Sequence, residues 1–324
     1  MPSAATIPTS FFRAAGFLIS GVFLFSTQDV IIKWISGSYP VHEIVLIRSI
    51  SGIVPLLFLS HFLGGLHALR TRRWAAHIAR SLIMFAAYTC FYLSMAALPL
   101  AETVSLFFSS PLFITMLSSI MLDEKIEMRC WTAVVVGFLG VILMLKPNVS
   151  NINPAALLAV LSAFFYALGS VITRKLGKTE SGVVLAFFPT VTYILFAAII
   201  GLLLQHISID DVSHPSLGFL LHAWCLPSQN DLLWMILLGF LAAIGFFCLS
   251  QAYRLAQPAT IAPLEYFAVP ISVIWGYAIW NEVLEPQSIL AALLIIASGL
   301  YILGRESMTG AKNLLHIFKI KIRR

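Results

Sequence analysis

Apolar residues in this chain run in blocks near 20 long, with polar residues gathered between them. Ten such blocks stand out: Phe12–Ser36, Val41–Leu63, Trp74–Ala97, Glu102–Leu122, Cys130–Leu145, Pro154–Thr173, Gly182–Leu204, Leu232–Arg254, Pro258–Trp280 and Ser288–Leu303. As helices, about 20 residues cross a hydrocarbon core of ~30 Å. The fifth and tenth blocks are the shortest. Most connections are brief, which predicts antiparallel neighbours in one bundle. The first block is too long for a signal peptide, carries Asp29 and Lys33, and has no small-residue cleavage site after it. It reads as a retained helix.

The pattern occurs twice. Leu93-Ser94, Leu106 to Leu122, Asp123-Glu124 and an apolar run to Leu145 are answered by Leu249-Ser250, Leu264 to Trp280, Asn281-Glu282 and a run to Leu303. Glu124 and Glu282 stand 158 residues apart. Val30-Ile31-Ile32-Lys33 is echoed more weakly by Val171-Ile172-Thr173-Arg174. Each half holds five blocks, and an odd number per repeat inverts the second copy in the membrane, as in many secondary transporters. The expected fold is an all-α integral membrane protein of ten transmembrane helices in two inverted five-helix repeats, 12–145 and 154–304. A basic tail follows, 305–324.

Composition agrees: 60% of residues are hydrophobic and 10% charged, against about 25% charged in soluble domains. The basic residues set the orientation. With the N-terminus in the cytoplasm, 17 of the 20 Lys and Arg fall on the cytoplasmic side, including Arg80, counted with its nearby loop. Lys33 and Lys146 lie near the outer side and Arg48 lies inside a block. The reverse orientation would translocate nearly every positive loop. Both termini are therefore expected in the cytoplasm, in a multi-pass protein of the cell inner membrane. The long Gln205–Asp231 connection, without Lys or Arg, is expected outside. The tail suits either anionic lipid or a plain positive-inside end. Nucleic-acid binding finds no support elsewhere in the chain.

The four cysteines show no metal or redox spacing, and no two histidines form a ligand pair on an apolar helix. No metal and no cofactor is expected. The absence of a Walker-type lysine and Gly-rich phosphate loop argues against a built-in ATPase. Transport would draw on an ion gradient, a substrate gradient or exchange.

The chemistry should lie in polar residues the bilayer disfavours. Asp29 and Lys33 are one turn apart and can meet as an ion pair or at a cavity mouth. Gln28 extends that stripe. Arg48 needs a carboxylate, carbonyls or water, and Glu43 is near enough in sequence to supply a partner. Glu265 lies in Ala262-Pro263-Leu264-Glu265-Tyr266, in a block punctuated by Pro258, Pro263 and Pro270. A carboxylate beside such breaks can carry a proton or bind a substrate amine; it can also be a neutral acid bonded to Tyr266. Ser105 and Ser109 share a face beside Pro111, as a polar lining or as small packing groups. Ala133 and Gly137 suggest close packing of the fifth block. Gln28, Ser109, Tyr166 and Glu265 are expected to line a mid-membrane site among the first, fourth, sixth and ninth blocks. Glu124 and Glu282, each ending a block, fit capping of the next helix, ion pairing or gating.

Ala252-Tyr253-Arg254-Leu255-Ala256, Ala262-Pro263-Leu264-Glu265-Tyr266, Asn281-Glu282 and Ala297-Ser298-Gly299-Leu300-Tyr301-Ile302-Leu303 resemble the second EamA module of the drug/metabolite transporter superfamily. Ser109-Ser110-Pro111-Leu112-Phe113 and Asp123-Glu124 resemble the first. The likeness runs from about Phe17 to Arg305. Asn281 and Asp123 replace the glycine usual before each glutamate, and Pro270 interrupts the ninth block. The resemblance implies ten helices, a central cavity and carriage of amino acids, their derivatives, riboflavin, S-adenosylmethionine or other metabolites in either direction.

The expected function is a secondary transporter, not an enzyme, moving a small polar metabolite by alternating access and leaning to efflux. An uptake carrier for a cofactor-like metabolite such as riboflavin or S-adenosylmethionine is the alternative. An integral-membrane transferase is more remote, for want of a carboxylate or His cluster at one membrane face. Expected partners are a small-molecule substrate and membrane lipid; a homodimer is compatible with the sequence.

Overall fold

The computed structural model describes residues 9–62, 71–122, 128–145, 153–176, 182–204, 214–255 and 262–302. Every regular element among them is helical. In order these are α1 (Thr9–Ile35), α2 (Val41–Phe62), α3 (Trp74–Ala97), α4 (Leu100–Phe107), α5 (Ser110–Leu122), α6 (Met128–Leu145), α7 (Pro154–Leu176), α8 (Gly182–Leu204), α9 (Pro215–Leu221) and α10 (Gln229–Leu255). A 3-10 turn, Ala262–Phe267, leads into α11 (Ala268–Trp280), and α12 runs Pro286–Ile302. Eight described stretches are long and apolar enough to cross a membrane, counting α4 and α5 as one, and the last two spans are shorter apolar helices. Large side chains such as Trp34, Ile120, Leu203 and Ile274 are exposed. Lipid is the solvent that suits such a coat. The chain is a multi-pass membrane protein.

Two of the ten expected spans are not single helices. The fourth leaves the helix at Phe108–Ser109. There the Ser109 N–H and Oγ both donate to the Leu106 carbonyl, at 3.0 and 2.6 Å, closing the last turn of α4. Pro111 is the second residue of α5, where a missing N–H costs no helical bond. The ninth span winds as a 3-10 turn before α11, and the expected residues 258–261 lie outside the described ones. Pro270 sits in the first turn of α11, among N–H groups with no intrahelical partner. It therefore helps to start the helix rather than interrupting it. Helices α5 and α11 are both 13 residues long. Each begins and ends 158 residues from its counterpart, the offset of Glu124 from Glu282. The break thus follows the repeat.

The packing follows the repeat as well. α1 packs on α10 and α3 on α7; α2 packs on α10 and α3 on α8. Advancing every span by five exchanges the members of each pair. The same shift carries the α2–α8 and α4–α11 contacts onto themselves. Between α6 and α12 the approach is close: a methyl at Gly140 would lie 3.1 Å from the Ala291 carbonyl, and one at Gly137 3.1 Å from Ser298 Cβ.

The long connection before α10 is not all loop. α9 is capped by His214, whose Nδ1 accepts the Ser216 N–H. Ser216 Oγ donates to the Leu93 carbonyl at 2.7 Å, and Phe219 is buried in the main core.

Candidate functional site

Two chambers inside the bundle share three side chains. One, about 180 Å³, lies among α1, α3, α4, α7, α10 and the turn before α11; it holds Gln28, Asp29 and Glu265 within aromatic walls. The other, about 290 Å³, lies among α2, α3, α7, α8 and α10; it holds Arg48 and Arg80. Tyr88, Tyr166 and Phe246 line both, so the two chambers adjoin there. Carboxylates therefore face one chamber and guanidiniums the other.

The walls follow from helical spacing. Arg80, Tyr88 and Tyr92 recur at multiples of four on α3, which sets them near one face. The Tyr92 hydroxyl accepts from Gln28 Nε2 at 3.2 Å and also from Arg48 Nη1. The Arg48 guanidinium stands 5.8 Å from the Tyr92 ring centre. Gln28 Oε1 has no hydrogen-bond partner, so a donor entering the chamber would find it ready. Phe107 packs edge-on against Tyr166 and Phe91, at 5.1 and 5.2 Å. Arg80 ties three helices: Nε donates to Thr173 Oγ1 at 2.7 Å, and both terminal nitrogens donate to the Leu185 carbonyl, at 3.0 and 2.8 Å.

One end of the bundle is latched. Lys33 Nζ meets Glu282 Oε1 at 2.5 Å and donates to the Leu98 carbonyl at 2.7 Å. Glu282 Oε2 accepts the Leu100 N–H at 2.8 Å, the first amide of α4. Trp280 lies 5.0 Å from the Lys33 ammonium. The tie joins α1, the α3–α4 link and the end of α11. Asn281 makes it possible: its φ of 54° is left-handed and ends α11, a position that suits glycine first and asparagine next.

Several pairings allowed by the sequence are not the ones formed. Lys33 takes Glu282 rather than Asp29, because the ends of α1 and α11 converge. Arg48 takes Tyr92 rather than Glu43, whose Oε2 instead accepts the Cys225 N–H at 3.4 Å. Glu282 caps α4, not the helix that follows it. The Tyr266 hydroxyl is buried with no hydrogen-bond partner, so it does not hold Glu265; its ring packs on Phe108 at 4.9 Å. Gln28, Asp29, Tyr166 and Glu265 come together in one chamber. Ser109 is fully buried and bonded to its own chain, outside the chamber's lining. Glu124 lies outside the described residues. Arg80 is buried at 6% exposure, not part of a solvated loop. Tyr88, Tyr92 and Phe246 were missed as lining residues. The four-residue spacing of Arg80, Tyr88 and Tyr92 was the available signal for the first two.

A model of the EamA-like transporter family matches residues 12–146 and again 153–304. The chain is 29% identical over 282 residues to an S-adenosylmethionine uptake transporter of Rickettsia prowazekii (strain Madrid E), covering 87% of this chain and 89% of the relative. It is 26% identical to a riboflavin transporter of Vibrio cholerae serotype O1 (strain ATCC 39315 / El Tor Inaba N16961), covering 81% and 83%. It is 25% identical to a pseudopaline exporter of Pseudomonas aeruginosa, covering 85% and 90%. A solved crystal structure shares the fold, with a TM-score of 0.60 at 17% identity over 90% of this chain and 97% of that one.

Proposed function

Because the chain belongs to the EamA-like transporter family, we propose that it takes up a positively charged, nucleoside-like metabolite of the S-adenosylmethionine class by alternating access. One observation carries this reading: Asp29 and Glu265 share a chamber walled by aromatic rings. A flat base stacks on such rings. A sulfonium or ammonium centre is held by carboxylates in a site of low dielectric and by the faces of the rings. The name of the Rickettsia relative supports uptake over the efflux expected from sequence. A flavin would also stack on these rings, as the Vibrio relative's name suggests, but offers the carboxylates no cation.

In this reading the Lys33–Glu282 tie closes one end while the chamber opens toward the other. The breaks at Ser109 and Phe267 let α5 and α11 tilt. Glu124 stands in the register of Glu282, and on this reading it gates the opposite end in the alternate state. Both termini lie in the cytoplasm of an inner-membrane protein, which a reporter fused after Arg324 and active only in the periplasm would refute.

Proteoliposomes give the direct test. Labelled S-adenosylmethionine should enter saturably, should exchange with unlabelled substrate inside, and should be little affected by excess riboflavin. Saturable riboflavin entry that S-adenosylmethionine leaves unchanged would replace the cation with the flavin.

A further inference from the structure

The second chamber has a chemistry that the cation reading does not use. Arg48 is buried at 8% exposure and Arg80 at 6%, yet both line open space. Their hydrogen-bond acceptors are neutral: a phenol for Arg48, a threonine hydroxyl and a carbonyl for Arg80. Among the described residues, no Asp or Glu lines the chamber. The Lys33–Glu282 pair at the bundle end is the salt bridge found among the described residues. A guanidinium within a bilayer normally finds a counter-charge; Asp29 acts on Arg48 from the first chamber, while Arg80 has no ion pair among the described residues. The two arginines face a cavity that Ser170 and Thr190 also line.

Size points the same way. The carboxylate chamber, at about 180 Å³, is smaller than the ~300 Å³ at which small-molecule pockets usually begin. The second chamber, which adjoins the first at Tyr88, Tyr166 and Phe246, has about 290 Å³.

We propose that the Arg48–Arg80 chamber is a second ligand subsite, for an oxyanion: the carboxylate or phosphate group of a small metabolite. Guanidinium groups hold such oxygens through paired, charge-assisted hydrogen bonds. Arg48 has donors beyond the one spent on Tyr92 and is the principal anchor. Arg80, already bonded three times, contributes mainly charge. The anion has two sources: the transported molecule's own carboxylate, its cationic end lying in the first chamber, or a separate anion bound beside it. The subsite goes beyond the cation reading and stands without it.

Thermal melting of the purified full-length chain in detergent tests the subsite itself. The probes are acetate and inorganic phosphate, exchanged for chloride at constant ionic strength. The wild type should show a saturable rise in melting midpoint. Arg48→Gln should abolish the rise, and Arg80→Gln should weaken it. Arg48→Lys, which keeps the charge and secures the test if the glutamine variant does not fold, should bind about tenfold more weakly, having lost the planar fork. No saturable rise in the wild type, or an unchanged one in both Arg48 variants, overturns the proposal.

Flux assays then separate the sources. If S-adenosylmethionine outcompetes its decarboxylated analogue about tenfold and acetate competes with it, the subsite reads the substrate's own carboxylate. If both analogues enter alike and acetate stimulates them, the anion is a separate ligand. Failure of S-adenosylmethionine to enter at all defeats the cation reading alone, because the melting arm uses no S-adenosylmethionine.

Discussion

In the fourth span the chain leaves the helix at Phe108–Ser109; in the ninth it winds as a 3-10 turn up to Phe267 before α11 begins. The two breaks share a register, and they meet. Phe108 and Tyr266, 158 residues apart, pack with tilted rings at 4.9 Å. Their chemistry differs. Beside the first break, Ser105 and Ser109 spend their hydroxyls on carbonyls of their own chain, at 2.7 and 2.6 Å. Beside the second stands Glu265, whose counterpart in the first repeat is Phe107. Both line the same chamber. The Tyr266 hydroxyl fills a gap that exists because residue 299 is glycine; a methyl there would collide with it. The repeat thus supplies the backbone break, and one copy alone supplies the acid.

The sharpest way to break that comparison is to make the two copies chemically alike. Glu265→Gln preserves shape and abolishes the charge. On the cation reading, substrate affinity should fall about 10- to 100-fold, the worth of a charged hydrogen bond of ~1.5–3 kcal/mol. Phe107→Leu should cost much less, because ring contact is replaced by another apolar contact. The measurement is a concentration series of uptake with membrane levels matched by immunoblot. Wild-type affinity and rate in Glu265→Gln would leave the acid with a structural role.

The ends of the same spans give the next largest effect. Glu282→Gln keeps a group able to accept from Leu100 but removes the partner charge of Lys33. The tie should weaken by roughly 1–3 kcal/mol, enough to raise the population open at that end about tenfold. A cysteine at Gln28, in a chain freed of its native cysteines, should then react faster with a hydrophilic thiol reagent supplied from the Glu282 side. On the alternate-state reading, Glu124→Gln should slow that reaction. Faster labelling from the same side in both variants would refute the paired gates.

Much of this was legible in the sequence, because length, apolarity and repeat act locally. The bilayer demands runs of a certain length, and a repeat offset of 158 residues carries the break from one span to the other. Pairings were less legible. Asp29 and Lys33 share a helical turn, so sequence spacing offered them to each other. Lys33 instead meets Glu282, 249 residues on, for a reason that lies only in how α1 and α11 converge. Arg48 passed over Glu43 for the same kind of reason. Proline invited a different error: Pro270 reads as an interruption until the 3-10 turn places it in the first turn of a new helix.

Asn281 tests the backbone side of the comparison. Its left-handed φ explains why asparagine can stand where the family resemblance expects glycine. Asn281→Gly should fold and transport as the parent does. Asn281→Val forces a branched side chain into that conformation and should cost about 1–2 kcal/mol. The change should appear as a lower melting midpoint with faster thiol labelling from the Glu282 side, because Glu282 follows directly. An unchanged midpoint in the valine variant would mean that the turn is not held as described.

The smallest effect belongs to Ser109, and its smallness is what the comparison requires. If the first break is architecture alone, removing its hydroxyl should disturb stability slightly and transport not at all. The Leu106 carbonyl receives two donors from Ser109, its N–H at 3.0 Å and its Oγ at 2.6 Å. Ser109→Ala deletes only the second, so the carbonyl keeps a partner and no buried group is orphaned. The expected cost is therefore at the low end of a net hydrogen bond, about 0.5 kcal/mol. The site is fully buried and outside the chamber wall, so substrate affinity should match the parent. Should Ser109→Ala instead lose affinity as Glu265→Gln does, the hydroxyl must reach the ligand in another state of the cycle. The two breaks would then share chemistry as well as shape.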